Sequence, residues 1–322
     1  MNLYLEIKPF AFHLKQSLNT SQGILKQKKG WLIKLTDSSG ICGWGEVAPI
    51  SPLEFKKCAA IFNMLGANPL RESLEESIKL GPGALGFGIG SALAEIDELT
   101  ISGNQKWILE APKSAILLAN DNSFFPKLDS LLENAKGQED KLTFKLKVAI
   151  HSMNVEEKLI HKLLEYLPIN ARLRLDANSG WNRTEAIHWA NYFINDSRLE
   201  WLEQPLAIDD IEGLFVLSKE VPVALDETLL KYPFLKNKWK SWQIRHPSLE
   251  GDPRILLQEL NHKTSHISIS TAFETGIGRR CVNHLAALQQ RTPTPTAPGL
   301  APSWCPKGNL FSKNPLSVWE AT

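Results

Sequence analysis

The sequence predicts an α/β barrel that follows an N-terminal α+β domain. From about residue 114 onward, strand-like apolar runs alternate with helix-like segments, which is the rhythm of repeated β/α units. Three of these runs end in a carboxylate, and Asp176, Glu203 and Asp226 are separated by 27 and 23 residues, enough for one strand, one helix and two loops. The first hundred residues lack this rhythm. A doubly wound parallel sheet is the alternative architecture that the same alternation allows.

The N-terminal domain is predicted to cover residues 1–103 and to cap the barrel. Its apolar periodicity indicates strands at 3–13, 30–36 and 41–46 and helices at 52–65 and 85–100. Residues 17–29 are polar and carry Lys26, Lys28 and Lys29. They are interpreted either as a solvated hairpin loop or as a mobile flap that covers an acidic substrate.

The barrel is predicted to cover residues 104–302, and the tail at 303–322 is expected to pack back on the cap. The predicted strands end near Ala119, Lys147, Asp176, Glu203, Asp226, Arg245 and Thr271, with a last strand at 296–301. Predicted helices occupy residues 155–167, 184–195, 253–262 and 277–290. Asn182 is expected to cap the second of these helices together with Glu185. The apolar face of that helix is predicted to consist of Ala186, Ile187, Ala190, Phe193 and Ile194.

Composition narrows the classes of partner. The net charge is +1, the hydrophobic fraction is 43% and the charged fraction is 22%, which gives no indication of nucleic-acid or anionic-membrane binding. No apolar run is long enough to span a membrane, and the four cysteines are scattered, as expected in a reducing cytoplasm. The sequence therefore predicts a cytoplasmic protein with a small-molecule partner, and it leaves the oligomeric state open.

The three acids at strand ends predict a metal site. The strands of a parallel barrel bring their carboxyl ends to one rim, so Asp176, Glu203 and Asp226 are expected to form a ring of hard oxygen ligands. Such ligands suit Mg²⁺, and Mn²⁺ is also acceptable. A single acid at a strand end is usually a helix cap or a solvated loop residue, but three in succession favour the metal site. A metal held there can bind both oxygens of a substrate carboxylate.

Two lysines on the preceding strand predict a group that transfers protons. Lys145 and Lys147 are two residues apart, so their side chains lie on the same face of a strand. Two ammonium groups beside a divalent cation disfavour each other's charge, so the pKa of one of them should fall towards neutrality. Lys147 is nearer the strand end and is assigned as the base, with Lys145 as its partner. The alternative is that both lysines are surface charges on an edge strand.

Four short motifs in the predicted barrel carry a family resemblance. They are Lys145-Leu146-Lys147, Asp176-Ala177-Asn178 followed by Trp181, Glu203-Gln204-Pro205, and Leu225-Asp226-Glu227. In this order and spacing they resemble the enolase superfamily, muconate-lactonising subgroup, and the likeness extends over nearly the whole chain. The segments at 43–49 and 270–278 are similar to those of the o-succinylbenzoate synthases within that subgroup.

The resemblance implies a cap on a (β/α)₇β modified TIM barrel, with Mg²⁺ held by Asp176, Glu203 and Asp226. It implies syn elimination of water from the carboxylate 2-succinyl-6-hydroxy-2,4-cyclohexadiene-1-carboxylate, giving 2-succinylbenzoate for menaquinone or phylloquinone biosynthesis. Lys147, the second lysine of the first motif, would be both base and acid. The alternatives are a cycloisomerase, a dipeptide epimerase, or a catalytically idle barrel that binds a metabolite.

One position departs from the pattern of the family. Where the family usually has a lysine at the end of the sixth barrel strand, this chain has Arg245. A guanidinium is not deprotonated in a protein, so Arg245 cannot be a base, which disfavours epimerisation by a two-base mechanism. Arg245 is predicted to stabilise charge or to stack on the substrate ring. A structural ion pair with an acid at the rim of the barrel is the alternative.

Further substrate contacts are predicted at five positions. Gly276 and Ile277 begin a helix whose backbone N–H groups can receive a substrate carboxylate. Ser270 and Thr271 can donate a hydrogen bond to the succinyl chain. Asn178 is included because it follows the first acid closely and can orient the groups bound there.

Overall fold

The computed structural model describes residues 3–20, 23–99, 107, 109–135 and 142–322. In these ranges the strands are β1 (Tyr4–Thr20), β2 (Gly23–Thr36), β3 (Cys42–Val47), β4 (Ile116–Leu118), β5 (Thr143–Lys147), β6 (Arg172–Asp176), β7 (Leu199–Glu203), β8 (Val223–Leu225), β9 (Trp242–Arg245) and β10 (Ile267–Ile269). The α-helices are α1 (Pro52–Leu65), α2 (Arg71–Leu80), α3 (Gly83–Ile96), α4 (Phe125–Ala135), α5 (Met153–Tyr166), α6 (Arg183–Phe193), α7 (Ile211–Leu217), α8 (Glu227–Lys231), α9 (Pro247–Glu250), α10 (Pro253–Asn261), α11 (Gly276–Gln289) and α12 (Pro315–Glu320). The expected domain boundary at 103, the end of the helix predicted at 85–100 and positions 21–22 of the predicted flap lie outside the described residues.

The N-terminal sheet is antiparallel, with strand order β1-β2-β3. β1 and β2 form a long hairpin that pairs from Tyr4↔Thr36 to Thr20↔Gly23, with an irregularity between His13 and Leu18. The polar segment predicted as a loop therefore lies largely within strands. Lys28 is only 4% exposed, so the solvated-loop interpretation is wrong for this residue.

Glycines in β3 allow this strand to lie directly on α3. A Cβ atom on Gly43 would be 1.9 Å from the carbonyl oxygen of Ala92, and one on Gly45 would be 2.0 Å from that of Gly88. No side chain fits at such distances, so the close approach requires glycine. Around this contact the sheet and the helices enclose an apolar core that includes Leu5, Ile33, Leu35, Val47, Phe62, Leu85, Ile89 and Leu93.

The second sheet has seven strands in the order β10-β9-β8-β7-β6-β5-β4, and neighbouring strands from β4 to β9 pair in parallel. One of its faces packs against helices through Phe144, Leu146, Leu173, Leu175, Leu202, Val223 and Leu225. The intervening side chains point to the opposite face, where Trp201, Ala224 and Ile244 form a small cluster. Arg174 stacks on Trp201 at 4.0 Å on this second face. Side-chain alternation therefore puts the predicted lysines and acids on the face away from the helices.

The contacts of the described chain define two compact units. The first consists of Met1–Pro112, Arg245–Ser265 and Ile269–Thr322, and the second of Lys113–Ile244 with His266–Ser268. Within the first unit, Trp319 of α12 packs edge-on against Trp44 of β3 at 5.5 Å, and Arg280 of α11 donates to Glu95 of α3 at 2.7 Å. Such contacts group most of the last quarter of the chain with the N-terminal domain, and the predicted boundaries at 103 and 302 stay predictions.

Several local predictions can be compared with the structure. The capping box of α6 is confirmed, because Glu185 N donates to Asn182 Oδ1 at 3.0 Å and Asn182 N donates to Glu185 Oε2 at 2.9 Å. The predicted apolar face of that helix is wrong at Ile187 and Ile194, which are 52% and 49% exposed, while Trp189 is buried. The last predicted strand is reduced to one bridge between Ser270 and Gly299. Among the described helices, none combines the length and apolarity that a membrane crossing needs.

Candidate active site

Adjacent parallel strands bring the predicted lysines and acids together. The register pairs Lys147 of β5 with Asp176 of β6, and Asp176 with Glu203 of β7. Glu203 in turn pairs with Ala224 of β8, and Asp226 directly follows Leu225, the last residue of that strand. The polar residues form a row because the strands run in one direction and each has a charged side chain at or directly after its end.

The ammonium group of Lys145 lies between two carboxylates. Its Nζ is 2.8 Å from Asp176 Oδ2 and 2.6 Å from Glu203 Oε1, and both acids are buried. Lys147 Nζ is 3.0 Å from the same oxygen of Asp176. Trp201 Nε1 donates to the other oxygen of Glu203 at 3.2 Å. The lysines that the sequence grouped with the acids are therefore in direct contact with them.

The pKa values of Asp176 and Glu203 shift in opposite directions in this environment. Burial works to raise the pKa of Asp176, but Lys145 and Lys147 outweigh it and lower this pKa to about 2. Burial and the nearby charge of Asp176 raise the pKa of Glu203, which also lies near Asp226. The difference follows from the contacts, because Asp176 touches both ammonium groups and Glu203 touches one.

Lys145 is held in its charged form. Burial alone would lower the pKa of Lys145, but the adjacent carboxylates of Asp176 and Glu203 outweigh it and hold this pKa above its usual value. The side chain is therefore a fixed positive charge next to two negative ones.

Asn178 and Glu227 extend this polar row. Asn178 Oδ1 accepts a hydrogen bond from Lys147 Nζ, and Asn178 Nδ2 donates to Glu227 Oε1 at 3.2 Å. Burial, together with the charges of Asp226 and Asp176, raises the pKa of Glu227 to about 7. The sequence assigned Asn178 to the substrate, and in the structure its side-chain atoms contact Lys147 and Glu227.

Gln204 has a positioning role that the sequence analysis missed. This residue is fully buried, and its Oε1 accepts from the backbone N–H groups of Asp226 and Thr228, both at 3.1 Å. Its Nε2 donates to Leu206 O at 3.1 Å and to Thr228 Oγ1 at 2.7 Å. It thereby ties the end of β7 to the chain around Asp226. An amide directly after a strand-end acid was the available signal, but its long-range partners cannot be inferred from its position alone.

The donor set fits a hard divalent cation, although its carboxylates are not gathered into a cage. Within the described ranges, no three His, Cys, Asp or Glu side chains converge closely enough to hold a metal ion as they stand. Asp176 and Glu203 instead share the cation of Lys145. Glu227 Oε2 is buried and accepts no hydrogen bond from the described residues. Buried carboxylate oxygens that attract positive charge are the ligands that Mg²⁺ prefers.

Arg245 belongs to the other compact unit and makes helix contacts there. Its Nε donates to Glu250 Oε2 and its Nη1 to Glu259 Oε2, both at 2.7 Å, and the side chain is buried. Burial alone would lower the pKa of Arg245, but these glutamates outweigh it and raise this pKa. These are the contacts of a structural ion pair, but its partners are glutamates of α9 and α10 and not the rim acid that the alternative named. A role at the substrate stays a prediction.

Ser270 and Thr271 use their hydroxyl groups within the loop after β10. Ser270 Oγ donates to Gly299 O at 3.2 Å. Thr271 Oγ1 donates to Glu274 Oε2 at 2.5 Å and accepts from Phe273 N at 2.9 Å. Both hydroxyl groups therefore have partners in the chain itself, and their contact with a substrate stays a prediction.

The N-terminus of α11 lies against a carboxylate of the protein. Glu46 Oε2 accepts from Thr275 N at 2.8 Å and from Thr275 Oγ1 at 2.6 Å. A Cβ atom on Gly276 would be 1.9 Å from Ser312 O, and the side chain of Ile277 is buried in an apolar cluster. Gly276 and Ile277 could reach a substrate only through their backbone, and this role stays a prediction.

The fold and the row of lysines and acids have counterparts in known proteins. A family model described as enolase C-terminal domain-like matches residues 131–233, which include all of the contacts between Lys145, Lys147, Asp176 and Glu203. The crystal structure of o-succinylbenzoate synthase from Thermosynechococcus elongatus BP-1, complexed with Mg in its active site, superposes with a TM-score of 0.81 at 25% identity, covering 99% of this chain and 100% of that one. Residues 131–233 therefore match the enolase C-terminal domain-like family, and the whole chain resembles an o-succinylbenzoate synthase in fold.

Two similar proteins carry the same name. An o-succinylbenzoate synthase of Thermosynechococcus vestitus is 28% identical over 289 residues, covering 86% of each chain. One of Pectobacterium atrosepticum is 27% identical over 288 residues, covering 86% of this chain and 83% of the relative. A dipeptide epimerase of Enterococcus faecalis superposes with a TM-score of 0.70 at 19% identity, covering 93% of this chain and 90% of that one, and supports the fold alone. The predicted class, an α/β barrel with an N-terminal α+β cap, is confirmed.

Proposed function

We propose that this chain is an o-succinylbenzoate synthase, a metal-dependent lyase that removes water from 2-succinyl-6-hydroxy-2,4-cyclohexadiene-1-carboxylate to give 2-succinylbenzoate. The observation that carries the proposal is the mutual contact of two strand-end lysines, Lys145 and Lys147, with two strand-end acids, Asp176 and Glu203. The names of the relatives support the same reaction over most of the chain. The enzyme would act in the cytoplasm, in menaquinone or phylloquinone biosynthesis.

Asp176, Glu203 and Asp226 would hold one Mg²⁺ in this enzyme, and Mn²⁺ would fit the same oxygen ligands. When bound, the ion supplies positive charge that stabilises the negative charge built up on the substrate carboxylate as its neighbouring carbon loses a proton. Gln204 supports this arrangement by fixing the backbone N–H of Asp226. Glu227, next to Asp226, adds a further carboxylate to the surroundings of the ion.

Lys147 would carry the proton in both halves of the reaction. As a neutral amine, its Nζ takes the proton from the ring carbon that bears the carboxylate, so that a C–H bond breaks and an N–H bond forms. The resulting ammonium then gives that proton to the ring hydroxyl as the C–O bond breaks, and water leaves on the same face. The electron pair released from the C–H bond becomes part of the aromatic ring, and Lys147 returns to the amine form.

The neighbours of Lys147 would set its position. Asn178 Oδ1 accepts from its Nζ and Asp176 Oδ2 lies 3.0 Å away, so the amine is held from two sides. Lys145 supplies a fixed positive charge beside the same acid. Arg245 as a charge-stabilising residue remains part of the proposal. Substrate contacts by Ser270, Thr271, Gly276 and Ile277 also belong to the proposal.

The test of the proposed function is product formation by the purified protein. With the cyclohexadiene substrate and Mg²⁺, the aromatic absorbance of 2-succinylbenzoate should appear, and chelation of the metal with EDTA should stop it. Absence of the aromatic product with intact, metal-loaded protein would contradict the proposal.

The same preparation separates the rival functions. A dipeptide epimerase would exchange the α-proton of a dipeptide for deuterium in D₂O, and an idle metabolite-binding barrel would neither exchange this proton nor form the aromatic product. The chain has Arg245 where its family usually has a second lysine, and a guanidinium cannot act as the second base of an epimerase. We therefore expect no inversion at the α-carbon of a dipeptide.

A further inference from the structure

Three charged side chains that the proposed reaction does not use are buried together in the first compact unit. Lys28 of β2 is 4% exposed, Glu46 of β3 is 1% exposed, and Glu274 of the loop before α11 is 3% exposed. Burying a charge costs free energy unless it is paired and hydrogen-bonded, so such a cluster persists only where its contacts compensate. Two of its members lie in motifs that the sequence analysis singled out, at 43–49 and 270–278.

Two cap strands hold opposite ends of the same loop. Lys28 Nζ donates to the carbonyl oxygen of Ala272 and lies 3.8 Å from Glu46 Oε1. Glu46 Oε2 accepts from Thr275 N at 2.8 Å and from Thr275 Oγ1 at 2.6 Å. The loop from Ala272 to Thr275 is therefore fixed at its first residue by β2 and at its last residue by β3.

Glu274 holds the middle of the loop. Its Oε1 accepts from Ser248 Oγ at 2.5 Å and from Ala272 N at 2.7 Å, and its Oε2 accepts from Thr271 Oγ1 at 2.5 Å. Burial works to raise the pKa of Glu274, but the charge of Lys28 and these hydrogen bonds outweigh it and lower this pKa. Lys28 thus helps to keep the Glu274 carboxylate ionised, and this carboxylate accepts the hydrogen bonds that hold the loop.

The second glutamate of the cluster is less well compensated. Glu46 Oε1 is buried and accepts no hydrogen bond from the described residues, and Lys28 is the cation beside it. Burial raises the pKa of Glu46 in spite of that lysine. Two buried carboxylates therefore depend on one ammonium group. Removing that group should release the loop rather than only leave a cavity.

We propose that Lys28 is a positioning residue that fixes the loop Ala272–Thr275 through Glu46 and Glu274, so that substrate affinity depends on it although it touches no reacting atom. The inference rests on the proposed function, because the residues flanking this loop, Thr271 and Gly276, are the predicted substrate contacts. In this proposal Lys28, a lysine of the predicted flap, contacts buried groups of the protein and not an acidic substrate.

The test compares Lys28→Met with Lys26→Met, a matched change two residues away on the same strand at an exposed position. In Lys28→Met, amide hydrogen exchange in peptides covering residues 271–275 should become about tenfold faster or more, while the strands of the second unit keep their protection. KM for the cyclohexadiene should rise about tenfold while kcat stays within about twofold, because only substrate placement is lost. Lys26→Met should match the wild type in both measurements.

A charge-specific readout separates positioning from simple packing. Adding Glu46→Gln to Lys28→Met removes one of the two carboxylates left without a cation, so the double variant should recover part of the thermal stability that Lys28→Met loses. If Lys28→Met does not fold, Thr275→Val removes only the hydroxyl that donates to Glu46 and should raise KM in the same direction. Unchanged hydrogen exchange in residues 271–275 would overturn the proposal. So would a fall in kcat as large as the rise in KM. Because hydrogen exchange needs no turnover, it decides the role of Lys28 even if the proposed function fails.

Discussion

Lys145 places a fixed positive charge between two buried acids, Asp176 and Glu203. Asp176 also contacts Lys147, but Lys145 is the ammonium group that both acids share. Removing one partner of a buried ion pair is strongly destabilising, because the remaining charge is left uncompensated.

For Lys145→Met we expect a loss of about 3 kcal/mol in the free energy of unfolding when the protein is kept in EDTA. The loss should shrink in excess Mg²⁺, since a divalent cation would compensate the same carboxylates. Urea denaturation in the two buffers measures both values, with the exposed Lys158→Met as the control. An equal loss in EDTA and in Mg²⁺ would contradict this role of Lys145.

Some contacts of individual residues could be predicted from the sequence, and others could not. The partnership of Lys145 and Lys147 followed from strand alternation, and their contact with Asp176 followed from successive parallel strands. Some hydrogen bonds join residues far apart in sequence, such as those of Gln204 with Asp226 and of Lys28 with Ala272. Hydrophobic periodicity does not predict such pairings. Arg245 was expected at the reaction, and the contacts found for it are with Glu250 and Glu259.

At the scale of elements, β3 and α3 illustrate a contact that only small residues permit. Gly45 faces the carbonyl oxygen of Gly88 so closely that an added Cβ would lie 2.0 Å from it. The sequence motif at 43–49 was identified by its family likeness. The physical reason for its glycines, a strand that lies on the backbone of a helix, is apparent only in the structure.

Gly45→Ala should destabilise the protein by about 2 kcal/mol or more, because the strand must move away from α3 to accommodate a methyl group. Chemical denaturation measures this loss. Ser38→Ala, at an exposed turn, should leave stability unchanged within about 0.5 kcal/mol. A Gly45→Ala protein as stable as the wild type would contradict the close packing described for these elements.

Two helices bury a cysteine each. Cys58 of α1 and Cys281 of α11 are buried, whereas Cys42 and Cys305 are partly exposed. Burial, with the nearby charge of Glu54, raises the pKa of Cys58 to about 12, and burial also raises the pKa of Cys281. Their thiolate forms are therefore scarce near neutral pH.

Titration with an aromatic disulfide reagent at about pH 8 should modify Cys42 and Cys305 quickly in the native protein and all four cysteines only after unfolding. The number of reactive thiols is read from the released chromophore. Four thiols that react at one rate in the native protein would show that α1 and α11 are not packed as described.

Across the full chain, the sequence predicted the architecture, while the boundaries at 103 and 302 stay predictions. Repeated strands and helices, with acids at the ends of three successive runs, were sufficient for the barrel, because hydrophobic period and chain direction are local properties. The grouping of residues 245–265 and 269–322 with the N-terminal domain was not predicted. It depends on contacts such as Trp44 with Trp319 and Arg280 with Glu95, which lie far apart along the chain.

The most direct measurement of the central claim is the rate at which Lys147→Ala forms 2-succinylbenzoate in the presence of Mg²⁺. Lys147 is the proposed carrier of the proton in both steps, and such a group typically contributes about 10²–10⁴-fold to a rate. We expect turnover to fall by at least about a thousandfold with an unchanged circular dichroism spectrum and melting temperature, while Lys158→Ala keeps the wild-type rate. Wild-type turnover in Lys147→Ala would contradict the account.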